Sequence, residues 1–258
     1  MLELAAITRA LGDSACRFDI ELQAECASTN AVLLARAEAG AAGGTVIVAE
    51  RQTAGRGRQG RAWLSSPGDS LTFSLLWRFP PRTAPAGLSL AVGLAVAEAI
   101  QKVGACRTAL KWPNDLLKDG RKLGGILIEL VPGSPHAAVI GIGLNLRLPT
   151  GMPVELAAQS AALDGTCDPN ALFAAILVEL LAVLATFAAG GFAPLRDAWT
   201  TRHAFENAPI RLLSDFASPR TGICRGVADD GALLLEQDGQ GGRIERILSG
   251  EVSLRGAG

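Results

Sequence analysis

Residues 108–130 read TALKWPNDLLKDGRKLGGILIEL. An apolar run ends at Trp112, and Pro113-Asn114-Asp115 supplies turn chemistry. A short strand follows, then Asp119-Gly120, a pair of the kind that closes a tight hairpin, then the strand KLGGILIEL. AAVIGIGLNLRL (137–148) predicts another strand, antiparallel to ILIEL. Upstream, TVIVAE (45–50) and LTFSLLWRF (71–79) predict two more. Helical patterns flank these strands. Ser28-Thr29-Asn30 caps NAVLLARAEAG, which Gly40 ends, and residues 84–104 form an apolar, Gly-punctuated helix. Asp168 and Pro169 open a further helix, and helices continue to about residue 204. The pattern predicts an α+β fold with a mixed, largely antiparallel sheet. From Pro209 it changes to short strands around an Asp229-Asp230-Gly231 turn, which reads as a small β-barrel. The expected boundary lies near residue 206, giving units 1–206 and 207–258.

The 258 residues carry a net charge of -1 and are 49% hydrophobic. A sizeable core is available, and a general polyanion binder is disfavoured. Cys16, Cys26, Cys106, Cys167 and Cys224 are scattered without a CxxC pair, beside only two histidines. That disfavours a disulfide framework or a metal site and points to free thiols in a reducing cytoplasm. The N-terminus lacks the apolar core of a signal peptide. Residues 171–192, ALFAAILVELLAVLATFAAGGF, are the one membrane candidate. Glu179 near their middle, with no close flanking Lys or Arg, makes them a buried core helix instead.

Three segments carry chemistry. ERQTAGRGRQGR (50–61) holds four arginines and three glycines. Glycine lets backbone N–H groups approach a ligand, and arginine forks match phosphate or carboxylate oxygens. The loop is expected to be mobile when empty and ordered by an anion; a plain surface loop or an RNA contact is the alternative. Its spacing is not that of a P-loop. Lys122 opens a strand beside Gly124 and Gly125, where it is either a charge aimed at a pocket or a surface lysine on a hairpin. In VIGIGLNL (139–146), Gly141, Gly143 and Asn145 share one face. They form either a slot for a flat ring, with an amide suited to adenine's edge, or a packing face.

Together these describe a nucleotide-phosphate site. The segments Ser28-Thr29-Asn30, ERQTAGRGRQGRAW (50–63), PGDSLTFSLLW (67–77), KWPNDLL with KLGGILIE (111–129), GIGLNL (141–146) and GEVSLR (250–255) resemble the biotin protein ligase (biotin–[acetyl-CoA-carboxylase] ligase) family. The resemblance is dense from residue 28 to 146 and returns at the C-terminal strand. Gln59 departs from it, where the loop often carries another arginine. About 20 residues precede the matched region, so the monofunctional type without an N-terminal helix-turn-helix is expected, with no specific DNA binding.

The resemblance implies a biotin/lipoate ligase-like catalytic domain followed by an SH3-like barrel. It implies formation of biotinyl-5′-AMP from biotin and MgATP, with transfer of biotin to a lysine of a biotin carboxyl carrier domain. Lys122 and Arg58 are the implied catalytic residues. Biotin is assigned to Ser28, Thr29, Asn30, Gln52, Gly55, Arg56, Gly57, Arg58, Lys122 and Gly125. The nucleotide is assigned to Arg56, Arg58, Trp63, Lys122, Asn145 and Arg255. Asn114 and Asp115 are left open between a structural role and one next to Mg²⁺. A lipoate–protein ligase shares the fold and the adenylate logic, but is expected to lack this form of the arginine loop. A nucleic-acid-binding module is the rival of another class, against which neutral charge and the absence of tyrosine weigh. An exposed sheet edge would suit a homodimer.

Overall fold

The computed structural model describes residues 2–214, 217–237, 242–248 and 252–256. Seven strands make the main sheet: β1 (Asp19–Cys26), β2 (Thr45–Gln52), β3 (Ser70–Arg78), β4 (Ala109–Lys111), β5 (Asp115–Lys118), β6 (Arg121–Val131) and β7 (Ser134–Asn145). Their order is β1-β2-β3-β7-β6-β5-β4. The β1–β2 pair is parallel and the other pairings are antiparallel. The β5–β6 turn has Asp119 at φ 51° and Gly120 at φ 73°, both left-handed as a tight hairpin of this type requires.

The two faces of this sheet differ. Leu71, Phe73 and Leu75 of β3 join the main core with Ile140 and Ile142 of β7. That core also takes in α1 (Leu4–Leu11), α3 (Leu88–Lys102) and α5 (Pro169–Gly190). Phe73 meets Phe173 of α5 edge-on at 4.9 Å. Asp168 caps α5, its carboxylate accepting from the Asn170 N–H. Although α5 is long and apolar enough to cross a membrane, it buries Leu172, Phe173, Ile176, Leu177, Leu180, Leu184 and Phe187 in the core. Glu179 pairs with Lys102 of α3 at 2.6 Å. On the other face, α2 (Thr29–Glu38) sets Leu33 and Ala37 against Ile47, Leu76 and Val139. Beyond the N-terminus of α2 that face continues uncovered, and there the side chains become polar or absent.

Two short helices, α4 (Val154–Gln159) and α6 (Arg196–Thr200), lie in the following segment. Strands β8 (Pro209–Ser214), β9 (Ala217–Val227), β10 (Leu233–Gln237), β11 (Ile244–Ile247) and β12 (Val252–Gly256) form a second, antiparallel sheet in the order β11-β10-β9-β8-β12. It shares the main core through Ile210, Leu233, Leu235 and Leu254. The buried Trp112 indole N–H donates to the Gly231 carbonyl at 3.0 Å, so the expected turn residue latches the second sheet onto the first.

Two expectations are refined, and two elements are added. Helix α3 starts at Leu88 rather than residue 84, because Gly87 sits at φ 80°. Strand β7 stops at Asn145, because the N–H groups of Leu146 and Arg147 turn to the Asp69 carbonyl. Helix α1 and strand β1 were not anticipated, although Ile20, Leu22, Ala24 and Cys26 alternate with polar residues at strand period.

Candidate active site

A cavity of about 580 Å³ opens on the uncovered face. Register builds its floor. Across the sheet, Thr72 of β3 pairs with Gly143 of β7, which pairs with Gly125 of β6. One pleat along, Ser74, Gly141 and Leu127 repeat the pattern. The two glycines of β7 are sockets for the protein's own groups. A Cβ at Gly143 would stand 2.5 Å from Cε2 of Trp63, and one at Gly141 would strike the Asn30 amide. The flat ring expected in the glycine slot is therefore the Trp63 indole, whose N–H donates to the Thr72 hydroxyl at 3.4 Å.

The N-terminus of α2 faces this floor. Ser28 is its cap, accepting from the Ala31 N–H at 3.5 Å. Gln52 at the end of β2 accepts at Oε1 from the Thr29 N–H (2.7 Å) and hydroxyl (3.0 Å). The Ser74 hydroxyl, fully buried, lies 2.7 Å from Thr29 Oγ1 and 2.5 Å from Asn30 Oδ1. Asn30 Nδ2 donates to Glu129 Oε2 at 2.7 Å. This compact array of amides and hydroxyls beside an apolar wall suits a small polar ring with both donors and acceptors. Sequence reasoning missed Ser74 and Glu129. The signal for Ser74 was the alternation Thr72-x-Ser74 inside an otherwise apolar strand.

The arginine loop folds on itself as a small hairpin. Arg56 bridges Ala62, the Gly57 N–H reaches the Arg61 carbonyl at 2.7 Å, and the Trp63 N–H reaches the Gly55 carbonyl at 2.9 Å. Gln59 and Gly60 turn the chain at φ 56° and 67°. Gly55, expected at the ligand, does not line the cavity. A Cβ there would sit 2.6 Å from the Trp63 carbonyl and 2.8 Å from Gln52 Nε2, so glycine is needed for internal packing. Arg56 Nη2 lies 3.6 Å from Glu129 Oε1, and Arg58 Nη1 donates to Asn114 Oδ1 at 3.4 Å. Burial lowers the Arg58 pKa, opposed by the charge of Asp115; a guanidinium stays protonated at neutral pH regardless.

Asn114 and Asp115 have defined places. Asn114 Nδ2 donates to the Ile126 carbonyl at 2.8 Å, and its own carbonyl accepts from the Ile126 N–H, so it stitches the start of β5 to β6. Asp115 stands between two lysines: Lys122 Nζ is 2.7 Å from Oδ1, and Lys111 Nζ is 3.1 Å from Oδ2. Between Lys122 and Gly124 the β6 strand carries one extra residue relative to β5. Such a bulge re-aims side chains, and here the Lys122 ammonium reaches over Gly125, where a Cβ would come within 3.3 Å of it. Burial pushes the Asp115 carboxyl up, but Lys122 and Lys111 outweigh it and hold the pKa below the ordinary Asp value. Burial lowers the Lys111 pKa, with Asp115 opposing.

Asn145, expected to read a base edge, directs its amide N–H₂ to the Ala161 carbonyl at 2.9 Å and the Lys122 carbonyl at 3.4 Å, though it still borders the cavity. Arg255 on β12 lines the cavity and donates to the Leu254 carbonyl. Gly250 and Glu251 of the GEVSLR motif lie outside the described residues. Ser28, Thr29, Asn30, Gln52, Arg56, Gly57, Arg58, Trp63, Lys122, Gly125, Asn145 and Arg255 all border the one cavity. Among the described residues, seven Lys and Arg side chains line it against a single carboxylate, Asp115, on a chain whose net charge is -1. Such a concentration of cations in a cleft binds polyanions of phosphate type. Among the described residues no group of three or more His, Cys, Asp or Glu side chains is placed to hold a metal ion.

Comparison with known proteins agrees with this geometry. Residues 24–145 match the biotin/lipoate A/B protein ligase family, and residues 209–255 match the biotin protein ligase C-terminal domain. The chain is 36% identical to the biotin–[acetyl-CoA-carboxylase] ligase of Paracoccus denitrificans, over 89% of this chain and 98% of that one. It is 41% identical to the bifunctional ligase/repressor of Escherichia coli, over 83% of this chain and 67% of that protein. The biotin protein ligase of Aquifex aeolicus, solved with biotin and ATP, superposes with a TM-score of 0.78 at 30% identity, covering 93% of this chain and 99% of that one. Fold, site and sequence agree, and the chain belongs to the biotin protein ligase family.

Proposed function

We propose that the cavity is where biotin and MgATP react to give biotinyl-5′-AMP and pyrophosphate, and where biotin then passes to a lysine of a carboxyl carrier domain. The observation that carries this is the juxtaposition of a donor–acceptor array at Thr29, Asn30, Gln52 and Ser74 with a cleft of seven cations. The first suits the ureido ring, which has one acceptor and two donors. The second suits a carboxylate meeting a triphosphate.

In the first step a biotin carboxylate oxygen attacks the α-phosphorus and pyrophosphate leaves. Two anions must meet, so cations that follow charge into the transition state lower the barrier. Lys122 and Arg58 are assigned this role, and Arg56 holds phosphate or carboxylate oxygens. In the second step the carrier amine attacks the acyl carbon, the acyl–oxygen bond breaks and AMP leaves onto the same cations. Mg²⁺ enters with ATP as part of the substrate. Both oxygens of Asp115 already face lysines, which supports a structural charge-balancing role for this carboxylate. Trp63 packs over the floor, and Asn145 holds the wall at the nucleotide end.

The test is pyrophosphate release in the presence of MgATP with biotin, lipoate or neither, followed by transfer to a carrier domain. Release that requires biotin supports the assignment, whereas release with lipoate alone would point to the sister activity. Units 1–206 and 207–258 fit the two sheets. Five free thiols support a cytoplasmic setting, and β1, at the end of the main sheet, offers an edge for a homodimer.

A further inference from the structure

Glu129 touches two parts of the site that the proposed function keeps separate. Its Oε2 accepts from Asn30 Nδ2 at 2.7 Å, and its Oε1 faces Arg56 Nη2 at 3.6 Å. Asn30 stands at the ureido end and is almost fully buried. Arg56 stands in the arginine loop and is half-exposed. Glu129 itself does not border the cavity.

The bond at Oε2 decides which way the Asn30 amide points. With Nδ2 committed to Glu129 and to the Leu127 carbonyl, Oδ1 turns to Ser74 and the pocket floor. An acceptor presented there can receive a ureido N–H. The amide sits over Gly141, where any Cβ would strike it, so only glycine leaves it this place. The charge on the other oxygen faces the guanidinium of Arg56 in the arginine loop.

We propose that Glu129 is a positioning residue that couples the two ends of the site. It orients Asn30 for the biotin ring with one oxygen and holds Arg56, and with it the loop, near the phosphate position with the other. The proposal rests on the reading of this cavity as a biotin–ATP site. A half-exposed ion pair is individually weak, so its effect falls on the position of the loop. The Asn30 bond is charge-assisted and more enclosed, so its effect falls on ring affinity.

Two variants separate the oxygens. Glu129→Gln keeps an acceptor for Asn30 and removes the charge that faces Arg56. Glu129→Ala removes both. Biotin affinity is measured by calorimetry, KM for ATP and kcat by pyrophosphate release, and loop order by trypsin cleavage after Arg56 and Arg58 with biotin bound. Wild-type protein that fails to bind biotin would overturn the reading of the site itself. Given wild-type binding, Glu129→Gln is expected to keep biotin affinity within about twofold, to raise KM for ATP, and to be cut faster in the loop. Glu129→Ala is expected to weaken biotin by about tenfold or more as well. Restored biotin affinity in Gln but not Ala marks orientation of Asn30 rather than generic packing. If Glu129→Gln matches wild type in loop cleavage and KM for ATP, or if folded Glu129→Ala binds biotin normally, the coupling falls.

Discussion

Lys122 Nζ lies 2.7 Å from Asp115 Oδ1. This ammonium is therefore positioned before any substrate arrives, on a strand whose next residue, Leu123, is fully buried. The carboxylate is shared with Lys111, so the pair of lysines retains one net positive charge. Anions entering the cavity meet a cation that is aimed but not neutralised.

Replacing Lys122 with Ala removes a charge that follows the transition state. Biotin-dependent pyrophosphate release is expected to fall roughly 10²–10³-fold, or about 3–4 kcal/mol. The Asp115 pairing means that stability changes too, by about 1 kcal/mol, because a largely buried carboxylate loses one of its two partners. Arginine should restore stability better than rate, since its planar fork cannot occupy the place of a compact ammonium. Pyrophosphate release run beside a melting curve checks both, and near wild-type release in folded Lys122→Ala would move the role to Lys111.

Asp115→Asn tests the charge between the lysines. The folded pKa of Asp115 lies below its unfolded value. Its stabilisation is therefore fully present above an unfolded pKa of about 3.9 and is lost as pH falls through the folded pKa. Wild type is expected to exceed Asp115→Asn by roughly 2 kcal/mol at pH 7. That gap should shrink below about pH 4. Urea unfolding of both proteins from pH 3 to 7 measures it, and a gap that stays constant with pH would contradict the assignment.

Gly143→Ala tests the seat of Trp63. The new methyl would stand 2.5 Å from the indole, so the ring must leave its place on Thr72. A cost of about 1–3 kcal/mol is expected from overpacking, together with a changed tryptophan emission and weaker binding of the adenylate. Adding Trp63→Ala should recover much of the stability but not the binding. Unchanged emission in Gly143→Ala would show that the socket is looser than the geometry indicates.

Arg58→Gly tests retention of the intermediate. The Arg58 side chain reaches from the loop to Asn114 across the cavity. Its loss should weaken retention of biotinyl-5′-AMP more than it slows adenylation, so released intermediate labels lysines on bystander proteins. Labelling is read by avidin blot of an added unrelated protein. A variant that adenylates normally and labels nothing extra would contradict a clamping role.

Much of this was local and therefore legible. The Asp119-Gly120 turn, the Ser28 and Asp168 caps and the shared face of Gly141, Gly143 and Asn145 in β7 depend on residues within a few positions of one another, and the chain adopts them as read. The strand β1 was equally legible in its alternation, but nothing local announces that it pairs in parallel with β2. The motifs of the arginine loop and of residues 111–129 named the chemistry, because residue type alone decides which groups can meet a carboxylate and a phosphate.

What the sequence alone determined is thus most of the elements from α2 onward, their largely antiparallel pairing and the cationic character of the site. Tertiary structure decided the partners. Gly143 seats a tryptophan because β7 runs in register beside Thr72, and Gly55 serves packing because Gln52 and Trp63 close on it. Asp115 falls between Lys111 and Lys122 because a bulge in β6 turns Lys122 onto its face. Glu129 meets Asn30 across 99 positions of chain. Hydrogen bonds and ion pairs act over a few ångströms of space, and only strand register and helix placement bring such distant positions that close.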